Sequence, residues 1–520
     1  MALHQQQNRT FIPRTDILEP GSAAEKTAFL ELQKGIVRQF EEIFPDKHAA
    51  RTVVILPSFS ADPDILAKIK GITHYEERTL CLLMLLRMPR TRVVYVTSSP
   101  IPESIVDYYL HLLPGITPRH ARERLTMLSC HDPSNLPLTQ KILDRPRLVE
   151  RIRSLIPDPS TAHLTAFMCT DLERTLAVRL GIPLFGTDPD LYYEGTKSGC
   201  RKTFRVAGVP FPDGFEDLTS RDQVIEKLAE LKRRQPRLRK AVVKVNEGFS
   251  GDGNAIFRYP EIPDGQEPEP IIRTSFSGQF KTVAVAMGEE LFFQKYGEMG
   301  GIVEAFLDGE VITSPSVQCV IAPSGHVDIV STHDQILGGP DNQIYLGAAF
   351  PADARYNISL AEQGRKIAEV LASKGAMGRF AIDFLSVEQA DGSWQHNAIE
   401  INLRKGGTTH PLLTLQFLTD GKYDPGTGEY HTANGNKRFY FASDNVISEA
   451  YKGLTPDDLF DIAMFHDLMY DGATQEGVMF HLVGALSEYG KLGLVCVGSS
   501  PERAKEFYDR CIAILDMECN

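Results

Sequence analysis

The chain has 520 residues, which at roughly 150 residues per domain predicts about three domains and excludes a single small module. Apolar residues make up 42% and charged residues 24%, so the chain can bury sizeable cores and is not a disordered segment. Its 55 Lys and Arg against 68 Asp and Glu leave a formal charge of −13, which argues against a nucleic-acid-binding face.

The start, MALHQQQNRTFIPRTD, carries no apolar stretch after its first basic residue and reads as neither a secretory signal nor a transit peptide, so a cytoplasmic protein is expected. Within an N-terminal helical segment, 1–50, Phe29, Leu32, Ile36, Phe40 and Ile43 recur at helical steps and predict an amphipathic helix ended by Pro45. Strands at Val53–Leu56 and Val93–Val96 enclose a helical stretch, and the alternation continues to about residue 190, predicting a parallel α/β lobe over 51–194. The longest clean apolar run, Leu80 to Leu86, is far short of the ~20 residues that a membrane helix needs, so no membrane partner is expected. Thr97 to Pro100 (TSSP) falls where such sheets place ligand-contacting loops, and equally where a plain turn would stand.

From about 195 the texture changes. A helix carries GTKSGCRKTFRVAGVP, a charged helix covers 221–235, and the strand AVVKV (241–245) runs into the glycine-rich GFSGDGN (248–254). The four prolines of 258–270 predict a surface loop. GRFAIDFL (378–385) and HNAIEINL (396–403) flank the turn signal Asp391-Gly392 and should pair antiparallel, which completes a second domain over 195–418 with α+β character. The polar stretch 419–437 separates it from a small C-terminal α+β domain, 438–520, whose last helix opens at Ser500-Pro501-Glu502. The eight cysteines form no CxxC pair and no zinc-spaced Cys/His set, so reduced thiols are expected.

The residues able to carry chemistry cluster in the second domain. Alternation puts Glu400, Asn402 and Arg404 of EINLR on one strand face, where a core-facing strand would show apolar groups. The hairpin can bring Asp383 of AIDFL beside Glu400, and two carboxylates that close repel unless a cation or proton neutralises them. Oxygen ligands of this kind suit Mg²⁺, and an arginine one step along can hold developing negative charge. Lys244 sits inside an apolar strand just before Gly248, Gly251 and Gly253, whose backbone amides can approach phosphate oxygens; a simple hairpin turn explains the glycines equally well. Lys197 opens a basic helix. Glu304 and Glu310 lie in GGIVEAFLDGEV, where a strand edge can meet an adenine and a carboxylate can accept from ribose hydroxyls.

The order of these pieces resembles the ATP-grasp superfamily of carboxylate–amine and carboxylate–thiol ligases. The resemblance implies an ATP-grasp fold preceded by the parallel lobe. It assigns Lys197 and Lys244 to the nucleotide phosphates, and Gly248, Ser250, Gly251 and Gly253 to a flap over them. Glu304, Phe306 and Leu307 become the adenine hinge, and Glu310 the ribose carboxylate. Asp383, Glu400 and Asn402 become ligands of Mg²⁺ or, in its place, Mn²⁺, with Arg404 stabilising the transferring group. Ala305 departs from the pattern, since many members carry a lysine there. ITHYEER (72–78), VVYVTSSPIP, GTKSGCR, GFSGDGN and the GVMFHLVGAL tail are similar to the pheganomycin-type peptide ligases within that superfamily. The expected activity is amide formation through an acyl phosphate, with ATP as cofactor and small-molecule or peptide carboxylates and amines as substrates, in a form compatible with a homo-oligomer. A carboxylate–thiol ligase and a non-catalytic ATP-binding module are the alternatives. His410, in GGTTH, is a candidate general base.

Overall fold

A computed structural model describes residues 17–61, 66–248, 253–284, 287–338 and 344–519. The fold divides into two compact units. One runs through Glu76 and adds Leu85–Ile101 and Arg119–Phe185; the other comprises Glu77–Met84, Pro102–Pro118 and everything from Gly186 on.

The first unit is built on β1 (Arg51–Leu56), β2 (Thr91–Thr97), β3 (Leu125–Ser129) and β4 (Ala162–Ala166), a parallel sheet in the order β3-β2-β1-β4. Every residue of β1 and β4 is buried, as the near-continuous apolar runs require of strands covered on both faces. The amphipathic helix is α1 (Ala23–Arg38), capped by Ser22 and burying Phe29 and Ile36. Phe29 joins the sheet's core together with Leu176 and Leu180 of α2 (Asp171–Leu180).

Two sheets organise the second unit. In the smaller, β5 (Gly214–Leu218), β6 (Lys240–Val245), β7 (Asn254–Arg258), β8 (Phe280–Thr282) and β9 (Gly301–Ala305) lie antiparallel in the order β5-β9-β6-β7-β8. Val243, Ala255, Phe257 and Val303 form its apolar face, covered by Leu228, Phe276 and Phe292. These come from α4 (Arg221–Arg234), α5 (Pro268–Gln279) and α6 (Glu289–Met299). Residues 259–267 are the expected loop, and Pro268 then opens α5, where a missing N–H is harmless.

The larger sheet has nine strands among the described residues. Its members are β10 (Ile312–Thr313), β11 (Pro315–Ile321), β12 (Val327–Gly338), β13 (Ile344–Phe350), β14 (Gly378–Glu388) and β15 (Trp394–Asn402), then β16 (Phe439–Ile447), β17 (Gly477–His481) and β18 (Lys491–Gly498). The order is β10-β14-β11-β12-β13-β16-β18-β17, with β15 on β14. One face packs Val317, Cys319, Phe380, Ile382 and Ile401 against Phe204 of α3 (Lys197–Ala207) and Leu360 and Ile367 of α7 (Asn357–Ser373). After α8 (Thr409–Thr419), the C-terminal α+β portion enters this sheet through β16, whose Tyr440–Ala442 pair with Ala348–Phe350 of β13. A last helix, α9 (Pro501–Glu518), lies on β16 and β18.

The stretch 419–437 is more than a separator. Lys422–Asp424 and Glu429–His431 pair as a short hairpin whose Tyr423 and Tyr430 are buried. All eight cysteines are free thiols, and only Cys169 and Cys519 keep partial exposure. No helix among the described residues is long and apolar enough to cross a membrane.

Candidate active site

The β14–β15 hairpin sets the centre of the site. Its turn uses Gly392 at φ +80°, and its register places Asp383 directly opposite Glu400 and Ala381 opposite Asn402. Directly opposed residues share a face, so the two carboxylates are neighbours. A register shift between Asp383 and Phe384 falls beside them. Asp383 accepts hydrogen bonds from the Gln335 amide (2.7 Å) and the Asn402 amide (2.8 Å), and the Arg404 guanidinium donates to the side-chain oxygen Oδ1 of Asn402 at 2.7 Å.

Burial, and then the charge of Glu400, push the Asp383 carboxyl up to about 6, against the Ser316 hydroxyl and the charges of Lys197 and Arg404. Glu400 moves the other way. Burial works to raise it, but the ammonium of Lys197, bonded at 2.5 Å, and the charges of Arg404 and Lys244 hold it below the usual range. Burial lowers the Arg404 guanidinium, opposed by Glu400, Asp383 and Tyr192. One carboxyl raised and the other lowered is the response of two adjacent buried acids when the nearby cations favour one of them.

Lys197 reaches this centre because its helix is pinned to the smaller sheet. Thr196 caps α3 by accepting from Gly199 N–H, while Asn246, just past β6, accepts from Lys197 N–H through its carbonyl (3.2 Å) and from Ser198 N–H through its side chain (3.0 Å). The Asn246 amide donates to Met299 O at 2.9 Å. Three bonds from one side chain and its backbone thus join α3, β6 and the end of α6.

Lys244 points from β6 onto Glu304 of β9 at 2.5 Å, and Arg201 holds the other oxygen of Glu304 at 3.2 Å. Glu304 is only 3% exposed, so its carboxylate is engaged by these two cations. Phe306 and Leu307 follow β9 half-buried; Phe306 N–H donates to Lys240 O, and the Lys240 ammonium stands 4.8 Å from the Phe306 ring. Glu310 is exposed. Gly248 and Gly253 close the base of the β6–β7 connection, since a Cβ on Gly253 would meet Gly248 Cα at 2.8 Å and Val245 Cγ2 at 2.4 Å. Ser250 and Gly251 lie outside the described residues. His410, on α8, is 3% exposed, its ring nitrogens have no hydrogen-bond partner among the described residues, and burial holds it neutral.

The structure therefore gathers Lys197, Asp383, Glu400, Asn402 and Arg404 into one cluster, with Lys244 within electrostatic reach of Glu400. Sequence reasoning missed Gln335, Asn246, Arg201 and Tyr192. A glutamine in a mixed strand and a tyrosine before a helix carry no periodic signature. Among the described residues no three His, Cys, Asp or Glu side chains assemble a metal cage. Two adjacent carboxylates and an amide oxygen do fit a hard divalent cation that takes its remaining ligands from water and phosphate, as Mg²⁺ does.

Comparison with known proteins agrees with this architecture. The family described as IQCH-like ATP-grasp matches residues 190–262 and 289–425, and the PGM1 C-terminal domain family matches 458–511. An L-propargylglycine–L-glutamate ligase of Streptantibioticus cattleyicolor is 28% identical over 92% of this chain and 98% of its own length. The IQ motif-containing protein H of Danio rerio is 23% identical over 90% of this chain, which spans 49% of that protein. The ADP complex of an N5-carboxyaminoimidazole ribonucleotide synthetase superposes with a TM-score of 0.51 at 13% identity, over 91% of this chain and 98% of the other. The lysine pair and the carboxylate hairpin thus lie within the residues that match the IQCH-like ATP-grasp family.

Proposed function

We propose that the protein is an ATP-dependent carboxylate–amine ligase that phosphorylates a substrate carboxylate and lets an amine displace the phosphate, giving an amide. The observation that carries this reading is the cluster itself: two opposed carboxylates and an asparagine on one hairpin, an arginine two residues past its second strand, and a lysine from α3 bonded to Glu400.

Lys197 and Lys244 supply positive charge for the nucleotide phosphates, released in part from Glu400 and Glu304 when phosphate oxygens arrive. Asp383, Glu400 and Asn402 would hold Mg²⁺, which neutralises charge on the phosphates when bound. Arg404, tied to Asn402 and near both acids, is placed to stabilise the oxygens of the carboxylate and of the transferring phosphoryl group. The β6–β7 connection, including Gly248, Ser250, Gly251 and Gly253, would cover the phosphates. Glu304 to Leu307 would line the adenine and Glu310 the ribose. Because the Glu304 carboxylate is held by two cations, adenine contacts fall to the backbone of this segment. Positioning and charge neutralisation suffice for the chemistry.

The amide is formed when the neutral amine nitrogen attacks the acyl carbon, the C–O bond to phosphate breaks, phosphate leaves with the electron pair, and the nitrogen gives up one proton to the departing phosphate or to water. Hydroxylamine replaces the amine in the test. Incubation with MgATP and a panel of carboxylates should yield a hydroxamate and ADP in equal amounts. A protein that binds ATP but forms neither product with any carboxylate would overturn the reading, and a thioester formed in preference with thiols would reassign the acceptor.

A further inference from the structure

Arg78 ends the ITHYEER segment and is absorbed by none of the roles above. Its guanidinium pairs with Asp444 of β16 at 3.1 Å, with side chains 10% and 12% exposed. The pair lies beside Tyr345, since Ser443, next to Asp444, donates to Leu346 O at 2.7 Å, and the charges of Arg78 and Asp444 both act on Tyr345. Tyr345 in turn packs on Gly407, where a Cβ would lie 3.0 Å from the ring. The charge of Arg78 is felt by both His410 and His481.

Those histidines supply a second, independent observation. Their rings stand edge to face at 4.6 Å, each residue is 3% exposed, and none of the four ring nitrogens has a hydrogen-bond partner among the described residues. Buried polar groups are normally paired. Two neutral imidazoles present two N–H donors and two acceptors between them, in the field of the Arg78 cation. The segment is held firmly, because Glu77 accepts Gly484 N–H through both carboxylate oxygens (3.1 and 3.2 Å).

We propose that Arg78 and Asp444, backed by His410 and His481, form the subsite for the amine substrate, and that this substrate is an amino acid or peptide with a free carboxylate. Arg78 takes the carboxylate, Asp444 takes the ammonium, and the imidazoles supply neutral hydrogen bonds. In the absence of substrate the opposite charges satisfy each other, so a zwitterion can exchange for the internal pair without leaving either charge bare. A simple uncharged amine offers no such exchange.

The inference rests on the ligase reading, and the experiment separates the two. Hydroxamate and ADP formation first establishes the donor carboxylate; failure there removes the ligase reading. With that donor and saturating MgATP, an equimolar set of common L-amino acids is compared with the corresponding α-amides. The wild type should favour the free acids by on the order of tenfold or more in kcat/KM, as expected when a buried charged partner is left unmatched. Arg78→Gln should bring the ratio close to one, Arg78→Lys should restore part of it, and Asp444→Asn should raise KM for the amine rather than for ATP. Equal use of acids and amides by the wild type would overturn the subsite. So would an undiminished preference in folded Arg78→Gln. Should Arg78→Gln not fold, the wild-type ratio and Asp444→Asn decide alone.

Discussion

Glu304 and Glu400 each hold a lysine, but they hold it in different surroundings. Glu304 faces two cations in a nearly dry sheet face, so Glu304→Gln would leave Lys244 and Arg201 with less than their charge complement. Breaking a buried pair from one side costs about 3–5 kcal/mol, and urea unfolding should show a loss of that order. Glu400 has more cations nearby than it can use, with Lys197, Arg404 and Lys244 all in reach. Glu400→Ala and Asn402→Ala should therefore fold and lose Mg²⁺-dependent ADP release, and turnover like the wild type in either would sink their assignment to the cation. Lys244→Ala should weaken ATP binding by about 1.5–3 kcal/mol, measured by calorimetry, since a charge-assisted phosphate contact is removed. The nearness of Asp383 to Glu400 was only partly legible in the sequence: the Asp-Gly turn predicts the hairpin, but its register, with Phe384 opposite Ala398, would set Asp383 against Ile399, and the register shift between Asp383 and Phe384 brings Glu400 opposite instead. The bond from Lys197 to Glu400 was not legible, because it depends on Asn246 fastening a helix to a strand 48 residues on.

At the scale of elements, the β6–β7 hairpin is the most exacting. Its two glycines at 248 and 253 touch backbone to backbone, so Gly253→Ala forces a methyl into Val245 and Gly248. Overpacking of this kind costs about 1–3 kcal/mol, and hydrogen exchange of the β6 and β7 amides should accelerate accordingly. Gly278 provides the contrast. It lies in α5 with no atom within 4 Å of where a Cβ would stand, so Gly278→Ala should be neutral or stabilising by about 0.4–1 kcal/mol. Local turn chemistry made β14–β15 readable, and an apolar run made β6 readable. The short hairpin within 419–437 escaped, since its strands have three residues each and are held by burial of Tyr423 and Tyr430, a tertiary effect. The joining of β13 to β16 escaped for a related reason: pairing across about 90 residues of chain leaves no mark on either segment.

Across the second unit, acid sensitivity follows from its buried imidazoles. Burial lowers His333 and His481 to about 3 and His396 to about 4, and holds His410 well below its usual value. His333 bonds Tyr440 at 2.5 Å, and His396 sits between Ser359 and Ser386, so protonation would disrupt packing as well as charge. Folded pKa values below the unfolded one mean that the unfolded chain binds more protons, so these groups' stabilisation is full above about pH 6.5 and is lost progressively as pH falls from there to the folded values of about 3 to 4. Carboxyls oppose the trend. Asp383, raised to about 6, and Glu76 of the first unit, raised to about 7, keep protons near pH 5 that the unfolded chain has released, and Asp334 is shifted in the same direction, chiefly by burial. Four imidazoles that gain a proton on unfolding outnumber these carboxyls, so unfolding takes up protons on balance and stability should fall between pH 6 and pH 5. Urea titrations across that interval, with proton uptake measured on unfolding, check the sign; stability that rises as the pH is lowered from 6 to 5 would mean that the carboxyls outweigh the imidazoles.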